Sequence, residues 1–384
     1  MSRKGDSYNS EPFGRPHHRK KHSLFGMLFL IILLALTFSL SVALIIAYLT
    51  PYVAPATFGS LTIVGIFAPI LYMGVALCML LWLVMGRWKS AGIVALLLVP
   101  GLFRVSDFYN VDFIRKVEQK ADRGTITLIS HNVRGFLDDN YRNVASGYVD
   151  YYAEEENYDV VCLQEFRRNL RGADRLDSLF KARFKTGYMR EVVEAGDVLL
   201  RTYSRYPIIA AGDISGMGSG TTQWVDIVVN KRDTVRIFNN HLQTMSISAN
   251  DSEDIEHGKI LQDGDRMMSI VERIANNSSI RADYVDTLCM VIEATPYNRV
   301  ICGDFNDTPM SYVYGEIIKN HKDAFVECGS GFGYTFRPMY GTLRIDYILH
   351  SEGMAAQNYA ADAEMTLSDH LPIKASLPSV ALAR

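Results

Sequence analysis

The chain is poor in several features that would narrow its function early. Its 384 residues hold five cysteines (Cys78, Cys162, Cys289, Cys302 and Cys328), and no two of them form a C-x-x-C pair. This spacing offers neither a zinc-ligand set nor a disulfide framework. Cys78, Cys162 and Cys302 lie in apolar runs and read as core residues. The formal net charge is -3, so the basic excess of a nucleic-acid binder is missing. The Gly/Ser-rich run Gly212–Gly220 lacks the phosphate-loop pattern and reads as a loop. No internal repeat is visible. Leu24–Leu49 contains no charged residue at all. It is too long for the apolar region of a cleaved signal peptide, which spans about 7–15 residues.

What is present divides the chain in two. Residues 1–22 form a basic tail with Arg3, Lys4, Arg15, Arg19, Lys20 and Lys21, expected to be disordered and cytoplasmic. Residues 23–105 contain three apolar stretches: Leu24–Leu49, Leu61–Met85 and the shorter, Pro100-containing Ala91–Phe103. A spanning helix needs about 20 apolar residues, so the first two suffice and the third sets the topology. The expectation is a membrane anchor of three helices. The connection Thr50–Ser60 has no Lys or Arg, whereas the next carries Arg87 and Lys89 between Trp82 and Trp88. Basic residues favour the cytoplasmic side, which places everything after the third helix outside the cytoplasm. The apolar stretches hold no acid or histidine, so no ion pathway is evident and a transporter is disfavoured. Residues 106–123 form a linker, read either as an amphipathic surface segment or as a plain helix.

Residues 124–384 have the pattern of one α/β domain. Thr125–Ser130 alternates and is β-branched, as strands are. Further strands are expected at Asp159–Leu163, Gly196–Tyr203, Ile208–Ala211, Val300–Cys302 and Leu343–Leu349. Gln223–Asn230 and Thr234–Asn239 make a hairpin. Helices are expected at Arg142–Glu156, Gly258–Ala275 and Ile280–Glu293, the last with an apolar stripe at helical spacing. Many short strands with a few helices argue for a layered sandwich.

Several of these strands end in polar groups that a core would not choose: Ser130-His131-Asn132, Gln164-Glu165, Asn239-Asn240-His241 and Gly303-Asp304-Phe305-Asn306. Asp346 sits amid apolar neighbours, and Ser368-Asp369-His370 precedes the last strand. Each alone reads as a turn or a solvated residue. Together they suit phosphoester hydrolysis. Mg²⁺ takes oxygen ligands and needs only one or two carboxylates, with Glu165 as candidate. A phosphodiester is anionic, so attack on it needs charge neutralisation by metal and by donors such as His241, Asn132 and Asn306. Asp304 fits the carboxylate that orients or activates water. Asp346 fits the partner that holds His370 oriented and charged.

The ordered set of Asn132, L-Q-E, S-R-Y-P-I, N-H-L, G-D-F-N, R-I-D-Y-I and S-D-H resembles the endonuclease/exonuclease/phosphatase superfamily, over about Thr125–Leu377. The resemblance implies a four-layer α/β sandwich: two central mixed β-sheets flanked by helices, here preceded by N-terminal transmembrane helices. It also implies a divalent-metal hydrolytic site. Asp304, Asn306, His370, His241 and Asp346 would be catalytic. Glu165, Asn132 and Asp369 would lie at the metal, Mg²⁺ with Mn²⁺ as substitute, in a one- or two-metal arrangement. Arg201 or Tyr203, in R-T-Y-S-R-Y-P, would either reach substrate or pack. The expected protein is a membrane-anchored phosphodiesterase of the bacterial inner membrane, its catalytic domain periplasmic or extracellular. Its substrate would be a lipid, nucleotide or nucleic acid, and no protein partner is evident. The rivals are a phosphomonoesterase of a phosphoinositide-like lipid and a catalytically silent binding module on the same fold.

Overall fold

A computed structural model describes residues 24–111, 124–155, 157–184, 188–216, 220–230 and 233–379. The basic tail, most of the linker and the last five residues lie outside the described residues.

The β-branched runs assemble into two six-stranded sheets. The first holds β1 (Thr125–Asn132), β2 (Val160–Arg167), β3 (Tyr188–Ala195), β4 (Val198–Ser204), β11 (Asn358–Ala361) and β12 (Ile373–Pro378), in the order β11-β12-β1-β2-β4-β3. The second holds β5 (Ile208–Gly216), β6 (Gly220–Asn230), β7 (Asp233–Leu242), β8 (Asn298–Asp304), β9 (His321–Asp323) and β10 (Asp346–Ser351), in the order β9-β10-β8-β7-β6-β5. Each sheet is mixed: β1–β2 and β7–β8 are parallel, and the other neighbours are antiparallel.

Alternation along the strands gives each sheet two apolar faces. The inner faces meet, with Leu128, Val160 and Cys162 packing against Val225, Ile237, Cys302 and Ile348. The outer face of the first sheet is covered by the helices Ala145–Glu154 and Ala173–Arg183, through Tyr148, Tyr152 and Phe180. The outer face of the second is covered by Gly264–Glu293 and Tyr312–Ile318, through Leu288, Ile292, Val313 and Ile317. The result is the four-layer sandwich expected.

Several details differ from the sequence reading. Gly258–Ala275 and Ile280–Glu293 belong largely to one helix of 30 residues, Gly264–Glu293. No Gly or Pro separates its halves, and Asp263 caps it by accepting from the Arg266 amide at 3.0 Å. The run from Gly212 is not all loop, because β5 and β6 extend through it with Ser215 opposite Thr221. Edge strand β3 was not foreseen.

The N-terminal apolar helices are Leu24–Leu49, Ala68–Val84 and Trp88–Leu102. They pack through Leu44, Val75, Cys78, Trp82, Val94 and Leu98, and their outward faces expose large apolar side chains such as Phe38 and Val84. The first is long and apolar enough to cross a membrane. The second expected span is not one straight helix, since Pro55–Ile66 and Ala68–Val84 meet at 60°. Pro69 falls in the first turn of the second piece, where its missing N–H leaves no intrahelical bond unmade. The first piece instead turns onto the sandwich, with Ile63 and Ile66 against Ile255, Ile270 and Ile274. The third helix has 15 residues, short of a full crossing.

The two parts of the chain are tightly joined. The Thr50 hydroxyl donates toward the Met310 carbonyl at 2.7 Å. The Arg344 guanidinium donates to the Asp107 carbonyl at 2.7 Å and pairs with Asp323. Tyr109–Asn110 is not helical but pairs with Gly331–Phe332 as a short ladder.

Gly303 explains one fixed point of the fold. Its φ is +128°, and a Cβ there would overlap the Asn240 carbonyl oxygen and lie 2.7 Å from the Asn240 nitrogen. The parallel neighbour β7 is therefore too close for any side chain. Gly303→Ala should cost roughly 3 kcal/mol and lower the unfolding midpoint by about 10 °C in a thermal melt. An unchanged midpoint would refute this account of the contact.

Candidate active site

The strand registers bring the polar strand ends together. In the second sheet, Asp304 is the register partner of His241 on one side and of Asp346 on the other. The three therefore form a row at one level across three neighbouring strands, with the strand spacing of about 4.8 Å setting the pitch. In the first sheet, Asn132 ends β1 beside Gln164-Glu165 on β2.

Alternation decides which residues of each cluster enter the site. Asn132 faces inward, whereas His131 faces the helices and bonds the Tyr152 hydroxyl at 3.1 Å. Burial pushes the His131 pKa down to about 3, so it stays neutral. Of Asn239-Asn240-His241, Asn240 turns outward to Thr222 and the Cys302 carbonyl. Asn239 points between the sheets, accepting from Gln164 Nε2 at 2.7 Å and donating to the Arg201 carbonyl at 3.1 Å.

Across the gap, Asn132 Nδ2 donates to Glu165 Oε1 at 3.0 Å and to Asp304 Oδ2 at 3.1 Å, linking the two sheets. Asp304 also accepts from the Asn306 amide at 2.8 Å and from Asn306 Nδ2 at 3.1 Å. His370 Nδ1 lies 2.9 Å from Asp346 Oδ2, and its Nε2 lies 3.7 Å from Asp304 Oδ2. His241 Nε2 lies 3.5 Å from Glu165 and 3.8 Å from Asp304. Asp369 is placed differently. Its carboxylate faces Arg134 at 3.4 Å and reaches Asn132 only through Ser368, whose hydroxyl donates to the Asn132 carbonyl at 2.8 Å. The predicted catalytic residues thus converge. Of the predicted metal set, Glu165 and Asn132 touch and Asp369 stands one residue removed.

The electrostatics follow from burial against charge. Burial raises the Asp304 pKa to about 6; His370 and His241 pull it down, while Asp346 pushes it up. Burial opposes the charge on His370, but Asp346 and Asp304 overcome this and hold its pKa well above the ordinary value. His241 is likewise disfavoured by burial, yet Glu194, Glu165 and Asp304 lift it to about 10. Five carboxylates (Glu165, Glu194, Asp304, Asp346, Asp369) face two histidines and Arg134. The site keeps a negative balance even with both histidines charged, and that suits a divalent cation.

Two candidate cation positions exist among the described residues. Ligand atoms of Asp304, Asp346 and His370 lie within 4.8 Å of one another. That trio is buried, and its His370 is already hydrogen-bonded to Asp346 through Nδ1. Glu165 is the better fit, because its side chain is 35 % exposed and Asn132 leaves part of its carboxylate open.

Sequence reasoning missed Glu194, which bonds His241 Nδ1 at 2.7 Å and accepts from the Glu165 amide at 3.4 Å. Its signal was faint: an acid before Ala195-Gly196, out of step with Glu191. The register of β3 against β4 shifts between Val193 and Ala195, and that of β2 against β4 shifts between Leu163 and Phe166. Both shifts occur at a site glutamate, where an irregular strand re-aims a side chain. Glu165 and Asn306 also have positive φ, of 52° and 50°. Arg201 does not reach the site. It lies over the Phe166 ring and pairs with Asp177 and Glu191, so it packs, as does Tyr203.

Among solved structures, the chain is similar to an endonuclease/exonuclease/phosphatase from Beutenbergia cavernae DSM 12333, at 15 % identity and TM-score 0.49, covering 67 % of this chain and 72 % of that one. It is also similar to one from Bacteroides vulgatus, at 17 % identity and TM-score 0.45, covering 66 % and 98 %. The human Nocturnin catalytic domain is a third, at 13 % identity and TM-score 0.43, covering 66 % and 93 %. No curated protein matches. The model of the Endonuclease/Exonuclease/phosphatase family matches residues 129–370, which span every residue of the site from Asn132 to His370. The chain belongs to the endonuclease/exonuclease/phosphatase family.

Proposed function

We propose that this chain is a membrane-anchored, Mg²⁺-dependent phosphodiesterase that cleaves its substrate by attack of water. The supporting observation is the row His241–Asp304–Asp346 facing Asn132 and Glu165 across the two sheets, with a surplus of negative charge. Glu165 and Asn132 would hold the ion, with Asp369 nearby. When bound, the ion would neutralise phosphate charge and polarise the scissile bond.

The chain's own residues supply the rest. Asp304, its pKa raised to about 6 by burial, accepts a proton from water or orients it. His241 and His370, both held cationic, face the phosphate oxygens and stabilise the charge that develops on them. Asp346 keeps His370 oriented through Nδ1, leaving Nε2 toward the site. Asn306 donates through Nδ2 to Asp304 and to the Leu242 carbonyl and through its amide to Asp304, so its part is to fix the Asp304 carboxylate and not to donate to phosphate. Leu24–Leu49 anchors the protein in the bacterial inner membrane. Ala68–Val84 and the shorter Trp88–Leu102 pack against it, and a basic tail held on the cytoplasmic side leaves the sandwich outside.

The test uses the full chain in detergent with bis(p-nitrophenyl) phosphate. Hydrolysis is expected with Mg²⁺, loss with EDTA, and recovery on adding Mg²⁺ or Mn²⁺. Hydrolysis that persists in EDTA, or no hydrolysis of any phosphodiester in a panel of nucleic acids, nucleotides and phospholipids, would overturn the reading.

A further inference from the structure

A large apolar cavity lies where the N-terminal helices meet the sandwich, with a volume of about 770 Å³. That falls within the roughly 300–1,000 Å³ typical of ligand pockets. Its lining comes from both parts of the chain: Tyr48, Phe67 and Tyr72 from the helices, and Phe108, Tyr334 and Leu343 from the sandwich side. Ile70 and Met73 also line it, and they are 53 % and 64 % exposed, so it opens at the outward face of Ala68–Val84. Two cations line it, Arg104, paired with Asp107 at 3.2 Å, and Arg344, paired with Asp323, along with the acid Glu256. An apolar space of this size left empty forfeits dispersion contacts along its whole wall.

The cavity shares a wall with the site. Tyr334, Met339 and Leu343 line it, and Phe336, on the same loop, packs on the His370 ring with centroids 4.9 Å apart. The Phe336 amide donates to the Leu343 carbonyl at 3.1 Å, closing the loop. Phe336 clusters with Met245, Met339, Leu343 and Ile345, so the wall is a packed apolar partition and not a passage. A molecule in the cavity therefore cannot place a phosphate beside Asp304.

We propose that the cavity binds an acyl chain of a bilayer phospholipid, which acts as an activator and not as substrate. The proposal rests on the membrane anchoring argued above. The chain enters beside Ile70 and Met73, and Arg104 faces its phosphate. Filling the cavity holds the Tyr334–Leu343 loop, and with it Phe336, against His370.

The test compares full-length wild type with Ile70→Trp and Val105→Trp, which fill the cavity from two sides, and with Ile70→Leu as the conservative control. Native mass spectrometry after detergent extraction counts retained phospholipid. Hydrolysis of water-soluble bis(p-nitrophenyl) phosphate is then compared in detergent and in vesicles of phosphatidylethanolamine and phosphatidylglycerol. Wild type and Ile70→Leu should keep lipid and show about a fivefold rise in kcat in vesicles, while both tryptophan variants lose the lipid and show no rise. Tryptophan variants that keep lipid as wild type does, or a wild type that keeps none, would overturn the site. Retained lipid without a gain in kcat would overturn its activating role. Retention does not depend on hydrolysis, and sedimentation with membranes checks the anchor separately, so failure of the functional reading is distinguishable. If a tryptophan variant does not fold, a photoactivatable acyl phospholipid decides on wild type. Label on the Tyr48, Phe108 or Tyr334 peptide supports the site, and label confined to Leu24–Ala43 overturns it.

Discussion

Asp304→Asn should lower kcat by about 10³-fold, within the 10²–10⁴ range of a positioned general base together with its electrostatic share. The side chain is 1 % exposed, so no bulk water replaces the lost carboxylate. It is also held by donors on several sides: Asn132 Nδ2, the Asn306 amide and Asn306 Nδ2. An amide keeps one acceptor for the Asn306 backbone but turns an NH₂ toward Asn132 Nδ2. That donor-to-donor approach costs about 1–3 kcal/mol. Activity and unfolding midpoint therefore need to be measured on the same preparation. A folded variant that retains more than a tenth of wild-type kcat would remove Asp304 from the centre of the chemistry.

The second large effect concerns the pair behind it. Asp346→Asn removes the charge that holds His370 cationic and offers its Nδ1 an N–H in place of an acceptor oxygen. A loss of about 10³-fold in kcat is expected, by analogy with other oriented histidines. The double variant Asp346→Asn/His370→Ala should be no slower than His370→Ala alone, because Asp346 acts through His370. Multiplying losses in the double variant would show that the two residues work independently and that the pairing is incidental.

Much of this was legible in the sequence, for a physical reason. Period-two alternation exposes strands directly, and a polar residue at an apolar strand's end is conspicuous, as with Asp304, His241 and Glu165. Asp346 stood out as an acid amid apolar neighbours, and His370 as the end of the polar run Ser368-Asp369-His370 before the last strand. What was not legible depends on three-dimensional pairing. Glu194 reaches His241 only because an edge strand slips register at Val193–Ala195. The Arg134 guanidinium beside Asp369, 3.4 Å away, is set by the fold around the site and has no sequence signal. The bend at Phe67 arises because the apolar residues before it find partners on the helix Gly264–Glu293, and hydropathy alone cannot tell a protein surface from a lipid one.

The contact between Gln164 and Asn239 carries a further consequence. Each sheet supplies half of the site, so the reacting distances depend on how the two sheets are offset along their common interface. Interlocked aliphatic side chains resist such shear but lack a directional signal at the scale of a hydrogen bond. The buried amide pair does not share that indifference, because it joins only when the offset is right. It acts as a key between two plates, and Asn132 to Asp304 is the second tooth. An enzyme assembled this way has part of its tolerance set beneath the reacting groups, in the fully buried amides of Gln164 and Asn239.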